Sequence, residues 1–362
     1  MSIYQKKGRY LLKPSSENRI EFLDTIRCIA ALSVIVQHLG EKHFIWFAEF
    51  TTNYFQFGMF GVILFFLSSG FVIPVSLQNN NSLVKFWIKR IFRLYPLYIF
   101  SLVAALILIK LNLYREANFS LKEIVLQLTM LQKFLGIPLI IHSHWTLSLE
   151  MIFYILISVL FLMKLIKYST ILAVSSVIGA LIISLQVDEG YGLVFYLATM
   201  FVGTVFYRYF KKEISFKTIA FTVILILSSV VLMAKVQLFG KYTTEEFGAR
   251  NFLPVINAWI GAYILFILLF TFRKYKQLPS TLFLGKISYS MYLVQGLVIG
   301  SLPIIYNNTI SVFISILLII AISTVTYYSI ENTGIKFGRR FSKLKTLNKE
   351  NIVPKQNHGG VI

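Results

Sequence analysis

The sequence predicts an all-α polytopic membrane protein of about ten transmembrane helices with both termini cytoplasmic, and three observations carry that prediction. Of the 362 residues, 57% are hydrophobic and only 14% are charged; a soluble domain of this size has an apolar fraction nearer about 45–50%. The apolar residues gather into runs long enough to cross a hydrocarbon core of roughly 30 Å. The basic residues lie in the connections between those runs, with a strong bias to one side.

Ten segments qualify as spans, at 22–40, 55–75, 92–111, 145–163, 169–186, 191–208, 217–236, 253–272, 282–302 and 309–330. The third and ninth contain polar interruptions. Connections are short except 112–144, where an amphipathic helix is expected around Leu121–Phe134. An even number of spans puts both ends on one side, and the positive-inside rule tests that parity. About three-quarters of the 35 lysines and arginines fall on the side of the termini, which is the expected cytoplasmic excess. A formal charge of +20 in a soluble chain would suggest nucleic acid. Here the cations flank apolar runs, so the expected partner is the lipid bilayer and no nucleic acid.

The organisation follows: 1–19 a cytoplasmic N-terminal segment, 20–340 one membrane domain, 341–362 a basic cytoplasmic tail expected to be disordered or to lie on the membrane surface. The basic N-terminus is not followed by a short apolar core with a small-residue cleavage site, so the first run reads as an uncleaved span. Cys28 is the single cysteine. It excludes an intrachain disulfide and a thiolate metal cluster, and reads as inert packing.

Arg27 and His38 stand out because ionisable groups are costly in lipid. Eleven positions make about three helical turns, so both side chains lie on one face, roughly 16 Å apart along the axis. Arg27 falls at the cytoplasmic end of the first span. A snorkelling cation paired with Asp24 would explain it without function. His38, inside AALSVIVQHLG, falls deeper, and a neutral imidazole is the natural general base for a hydroxyl.

In KFWIKRIFRLYPLY, Arg90 and Arg93 at i and i+3 share a helical face. Their forks match phosphate oxygens, and a nucleotide-containing thioester would suit them. Ordinary positive-inside flanking is the plain alternative. HSHWTLSLEMIFYIL opens the fourth span from the outer side and places Glu150 in an apolar run, where it needs a partner or a task. His142 and His144 do not share a helical face with each other, so no metal is predicted there. In FFLSSGFVIP, Ser69 and Gly70, with Gly58 and Gly61 upstream, read as a close helix contact. GKISYSMYLVQ puts Ser288, Tyr289, Ser290 and Tyr292 into an apolar helix, and Glu331 closes the tenth span.

Taken in order, EFLDTIRCIAALSVIVQH, FFLSSGFVIP, KRIFRLYPLY, HWTLSLEMIFY, LGKISYSMYLVQ and SIENTGIKFGRR resemble the integral-membrane acyltransferase 3 family, whose members O-acylate surface carbohydrates. The stretch covers about 22–340. The resemblance implies a bacterial cytoplasmic (inner) membrane protein using an acyl-CoA donor, in first place acetyl-CoA, from the cytoplasm. It implies an acceptor hydroxyl of a polysaccharide, lipopolysaccharide or lipid-linked precursor on the outer side, with glycan-assembly proteins as candidate partners. The family's arginine–histidine motif falls on Arg27 and His38, its paired arginines on Arg90 and Arg93, and its acidic fourth-span residue on Glu150. His38 and Glu150 are then the expected catalytic pair, and Arg27, Arg90 and Arg93 the donor-binding set. The ninth-span motif often ends in histidine where this chain has Gln295, so no catalytic role attaches to that position. No appended hydrolase-like domain is expected, which puts acceptor transfer at the membrane part or with a separate partner.

The rival reading is a proton-coupled secondary transporter or exporter, in which the same ionisable groups form a proton relay. Against it, no pair of matching broken helices is visible in the two halves. A structural subunit of a glycan-assembly complex is a third reading, which predicts neither activity.

Overall fold

The computed structural model describes residues 20–80, 82–115, 117–186, 191–239, 252–302 and 308–350. The expected N-terminal segment 1–19 and the end of the expected tail, 351–362, lie outside the described residues.

The apolar runs fold as helices in chain order: α1 Glu21–His43, α2 Ile45–Asn53, α3 Phe57–Asn80, α4 Leu83–Lys110, α5 Leu121–Gln127, α6 Trp145–Leu162 and α7 Ser169–Gln186. They continue as α8 Tyr191–Phe210, α9 Phe216–Phe239, α10 Leu253–Thr271, α11 Pro279–Lys286, α12 Ser288–Ser301, α13 Asn308–Thr326 and α14 Asn332–Glu350. Among the described residues, 9 helices are long and apolar enough to cross a membrane, and counting the bent pair α11–α12 as one crossing makes 10. The protein is all-α and polytopic. With ten crossings the chain returns to its starting side, the side the basic-residue bias marks as cytoplasmic.

Three departures from the expected elements have physical causes. Among the described residues, the α-helix in the long 112–144 connection covers only Leu121–Gln127, followed by turns that include Met130 at φ 55°. Its start is a capping box. Ser120 accepts from the Glu123 amide, and the Glu123 carboxylate accepts from the Ser120 amide at 2.8 Å and its hydroxyl at 2.7 Å. Those two bonds hold the Glu123 carboxyl below its ordinary pKa. The short helix α2 was not expected, because nine residues between two spans carry too little periodicity to stand out. Finally, helix α14 runs on to Glu350, into the stretch expected to be disordered or to lie on the membrane surface. Its start packs on α4, where Gly334 sits against the Phe92 carbonyl and the Phe92 and Phe341 rings stack at 5.5 Å.

Small residues set the closest crossings. Gly70 of α3 lies on the Met200 backbone of α8, and Gly203 returns the contact on the Leu67 carbonyl. The Thr204 hydroxyl donates to the Gly70 carbonyl at 3.1 Å. Gly61 of α3 sits on the Ala30 carbonyl of α1 in the same way. A side chain at any of these positions would drive the helices apart, as small-residue interfaces in membranes predict.

The ninth run breaks at Ile287, with an angle of 66° between α11 and α12. The Ser288 hydroxyl donates back to the Gly285 carbonyl at 2.9 Å, and kinks at Gly/Ser pairs are expected on those grounds. Gly285 in turn rests on the Asp24 backbone of α1. The Thr25 hydroxyl donates to Gln277 at 2.9 Å and lies 3.1 Å from the Thr281 hydroxyl. At the other end of α1, the Lys42 ammonium donates to the Ile299 carbonyl at 2.5 Å and the Leu302 carbonyl at 2.8 Å. Cys28 is buried in α1 as a free thiol.

Candidate active site

The predicted residues divide between two of the cavities that open among the described residues. The inner one, about 720 Å³, is lined by Arg27 from α1, Arg90 and Arg93 from α4, Glu150 from α6 and Tyr289 from α12, against apolar side chains of α3. The i, i+3 spacing of Arg90 and Arg93 brings both guanidiniums into this one space, as their shared face predicts. Arg90 is buried, with its guanidinium 5.4 Å from the Phe86 ring centroid and 5.3 Å from that of Tyr154. Such stacking holds a planar cation while leaving its donors for a ligand. Arg27 stands 4.0 Å from the Asp24 carboxylate.

Glu150 belongs to this inner cavity and does not line the cavity of His38. Its carboxylate accepts a short hydrogen bond from the Tyr154 hydroxyl one turn further along α6. The reason is the helix start. A 3₁₀ turn over His142–His144 begins the descent before α6 proper. Glu150 is therefore about 12 Å along the axis from His142 by helical rise.

The outer cavity, about 950 Å³, contains His38 and Gln37 of α1, Gln56, Lys133, His142, Ser143, Trp145 and Tyr196 among its lining. His38 is exposed to it. Gln37 is held in place beside His38, donating to Gln56 at 2.8 Å and accepting from the Gly58 amide at 2.5 Å. Trp145 and Tyr196 meet at 5.4 Å between ring centroids, and Tyr196 stacks on Trp259 at 5.6 Å. The cavity thus offers a base, fixed polar groups and an aromatic wall.

Two positions matter to which the sequence assigned no place in the site, Glu331 and Tyr292. Glu331 is 1% exposed and accepts from the Ser290 hydroxyl at 2.8 Å. It ends a π-helical turn, Tyr327–Glu331, which continues directly into α14, so it does not close a helix at the membrane face. An acidic residue at the end of an apolar run was the available signal, and the π turn that swings it inward has none in hydropathy. Tyr292 lines both cavities.

A family model described as an acyltransferase domain matches residues 20–330 of the chain. Acyltransferase MdmB of Streptomyces mycarofaciens is 31% identical over 146 residues, 38% of this chain and 38% of its own. A protein of Acidianus two-tailed virus named as an acetyltransferase is 25% identical over 280 residues, 74% of this chain and 79% of its own. A Staphylococcus aureus (strain COL) protein named as an O-acetyltransferase is 28% identical over 366 residues, 87% of this chain and 57% of its own. The chain therefore spans less than two thirds of the length of two of these three relatives. No solved structure matches it significantly.

Proposed function

The chain belongs to the acyltransferase 3 family and is a membrane-bound acyltransferase; from that premise we propose an O-acyltransferase, in first place an O-acetyltransferase, of the bacterial cytoplasmic membrane. Its donor is cytoplasmic acyl-CoA, and its acceptor is a hydroxyl of a cell-surface polysaccharide, lipopolysaccharide or lipid-linked precursor. The observation that carries this reading is the meeting of two cavities of different chemistry, one walled by three arginines and the next containing His38, across Val62 and Tyr292.

In this reading Arg27, Arg90 and Arg93 bind the CoA phosphates through charge-assisted hydrogen bonds. Glu150 and Glu331 hold those guanidiniums in place between visits of the donor. In the outer cavity His38 takes the proton of the acceptor hydroxyl as its oxygen bonds to the acyl carbon. The thioester C–S bond breaks, and the proton ends on the departing CoA sulfur. Trp145 and Tyr196 give a sugar ring a flat face to lie on.

The test is incubation of the purified chain in lipid nanodiscs with acetyl-labelled acetyl-CoA, alongside mass spectrometry of surface glycans with and without the chain. Thioester turnover and an acetyl-sized mass difference are expected. Absence of CoA binding together with pH-gradient-driven solute uptake would sink the proposal in favour of a transporter. Among the described residues one bent helix pair is present, whereas inverted-repeat transporters use two in matching halves.

A further inference from the structure

Val62 and Tyr292 are the wall residues that the inner and outer cavities share. Both are buried, at 6% and 7% exposure. The two chambers therefore adjoin at these two side chains, which form the partition between them.

That partition is held firmly. The Tyr292 hydroxyl donates to the Ser143 carbonyl at 3.1 Å and accepts from the Thr146 hydroxyl at 2.9 Å. Its ring meets Phe65 edge-on at 5.6 Å. Swinging the ring aside would give up both hydrogen bonds in a buried setting, where lost partners are expensive. Tyr289, one turn earlier, donates to the Leu94 carbonyl at 3.0 Å and lines the inner cavity alone. Of the two tyrosines in the SYSMY stretch, Tyr292 therefore stands between the chambers.

Beside Tyr292 and Thr146, the inner cavity is lined by the apolar side chains of Val62, Phe65 and Leu147. A thioester whose phosphates rest on the arginines presents its acyl chain to this wall before the acyl carbon meets His38. We propose that Tyr292, with Val62, is the determinant of acyl-chain length, admitting short acyl groups and refusing longer ones. The inference rests on the acyltransferase reading and adds the residues that limit the length of the donor's acyl group. A rigid apolar pocket discriminates by roughly 10–200-fold for a methylene that does not fit.

The experiment measures CoA thiol release by the full chain in nanodiscs with acetyl-, butyryl-, hexanoyl- and octanoyl-CoA. The wild type should lose at least about tenfold in kcat/KM between acetyl and hexanoyl. Tyr292→Ala should raise the hexanoyl-to-acetyl ratio by about tenfold or more. Tyr292→Phe, which keeps the ring, should leave that ratio in place while lowering both rates. Val62→Ala opens the partition from α3 and should shift the ratio in the same direction. A wild type that turns over octanoyl-CoA as fast as acetyl-CoA overturns the proposal and leaves the acyltransferase reading standing. So does a wild-type ratio in Val62→Ala, whether Tyr292→Ala keeps that ratio or is inactive. No thioester turnover by the wild type at any length removes the acyltransferase reading, and this inference with it.

Discussion

The inner and outer cavities share a wall but solve opposite electrostatic problems. In the inner one, Arg27, Arg90 and Arg93 are set among Asp24, Glu150 and Glu331, so buried positive charge is met by nearby negative charge. Charges inside a membrane are tolerable on those terms, and under the proposed function they exchange a carboxylate for a donor phosphate. Among the described residues, the lining of the outer cavity has Lys133 as its one lysine and no carboxylate; His38, His142, Gln37 and Gln56 make it polar. A histidine in such a place can accept a proton without an adjacent carboxylate to fix its state. Under the proposed function, binding chemistry and proton chemistry are thereby kept in separate rooms.

The largest expected effect tests that separation directly. His38→Ala should reduce acetyl transfer by about 100- to 10,000-fold, the range for losing a general base, with CoA affinity unchanged by isothermal titration. A parallel loss of CoA affinity would erase the division between the rooms. Next, Arg90→Gln and Arg93→Gln should each weaken CoA binding by about 1.5–3 kcal/mol, roughly 10- to 150-fold, the worth of a hydrogen bond to a charged group. Retained tight binding of CoA by the double variant would show that the inner room is not the donor site. Gly70→Leu should lower stability by about 1–3 kcal/mol through overpacking against Met200, read as an earlier thermal unfolding transition. Tyr154→Phe should cost about 1 kcal/mol in CoA affinity by freeing Glu150 among the arginines.

The smallest effect separates the rooms by pH. Part of the outer room is walled by the 112–144 connection, through Lys133, Leu139 and His142. The Glu123 carboxyl that caps α5 in that connection is held below its ordinary pKa by Ser120. A depressed carboxyl stabilises its fold above the unfolded value, and the contribution is lost as pH falls through the folded value. Acidification should therefore speed amide exchange in α5 before it affects α3 or α8. Exchange that rises equally in all three would remove the distinction.

The spans were legible because length and hydropathy are what a bilayer demands, and the polar interruption of the ninth run became the bend at Ile287. Arg90 and Arg93 were legible as a pair because helical spacing fixes faces, and the family resemblance added Arg27 to them. Depth was less legible. Glu150 was expected beside His38, yet the 3₁₀ turn over His142–His144 starts its descent early and delivers it to the arginines. Glu331 read as the end of a helix because a π turn leaves no trace in a hydropathy pattern. Tyr292 read as one more hydroxyl, since its position between two cavities depends on α3 and α6, far away in sequence.

The double fastening of α1 to the bent pair has a mechanical consequence. Thr25 and Asp24 secure one end of α1 to the Gln277–Gly285 stretch, and Lys42 grips the far end of α12 by two carbonyls. Arg27, His38 and Tyr292 consequently ride on one strut clamped at both ends. A rocking machine would have to shear that strut to present its two faces in turn. A relay built on it stays still, and the cargo does the travelling.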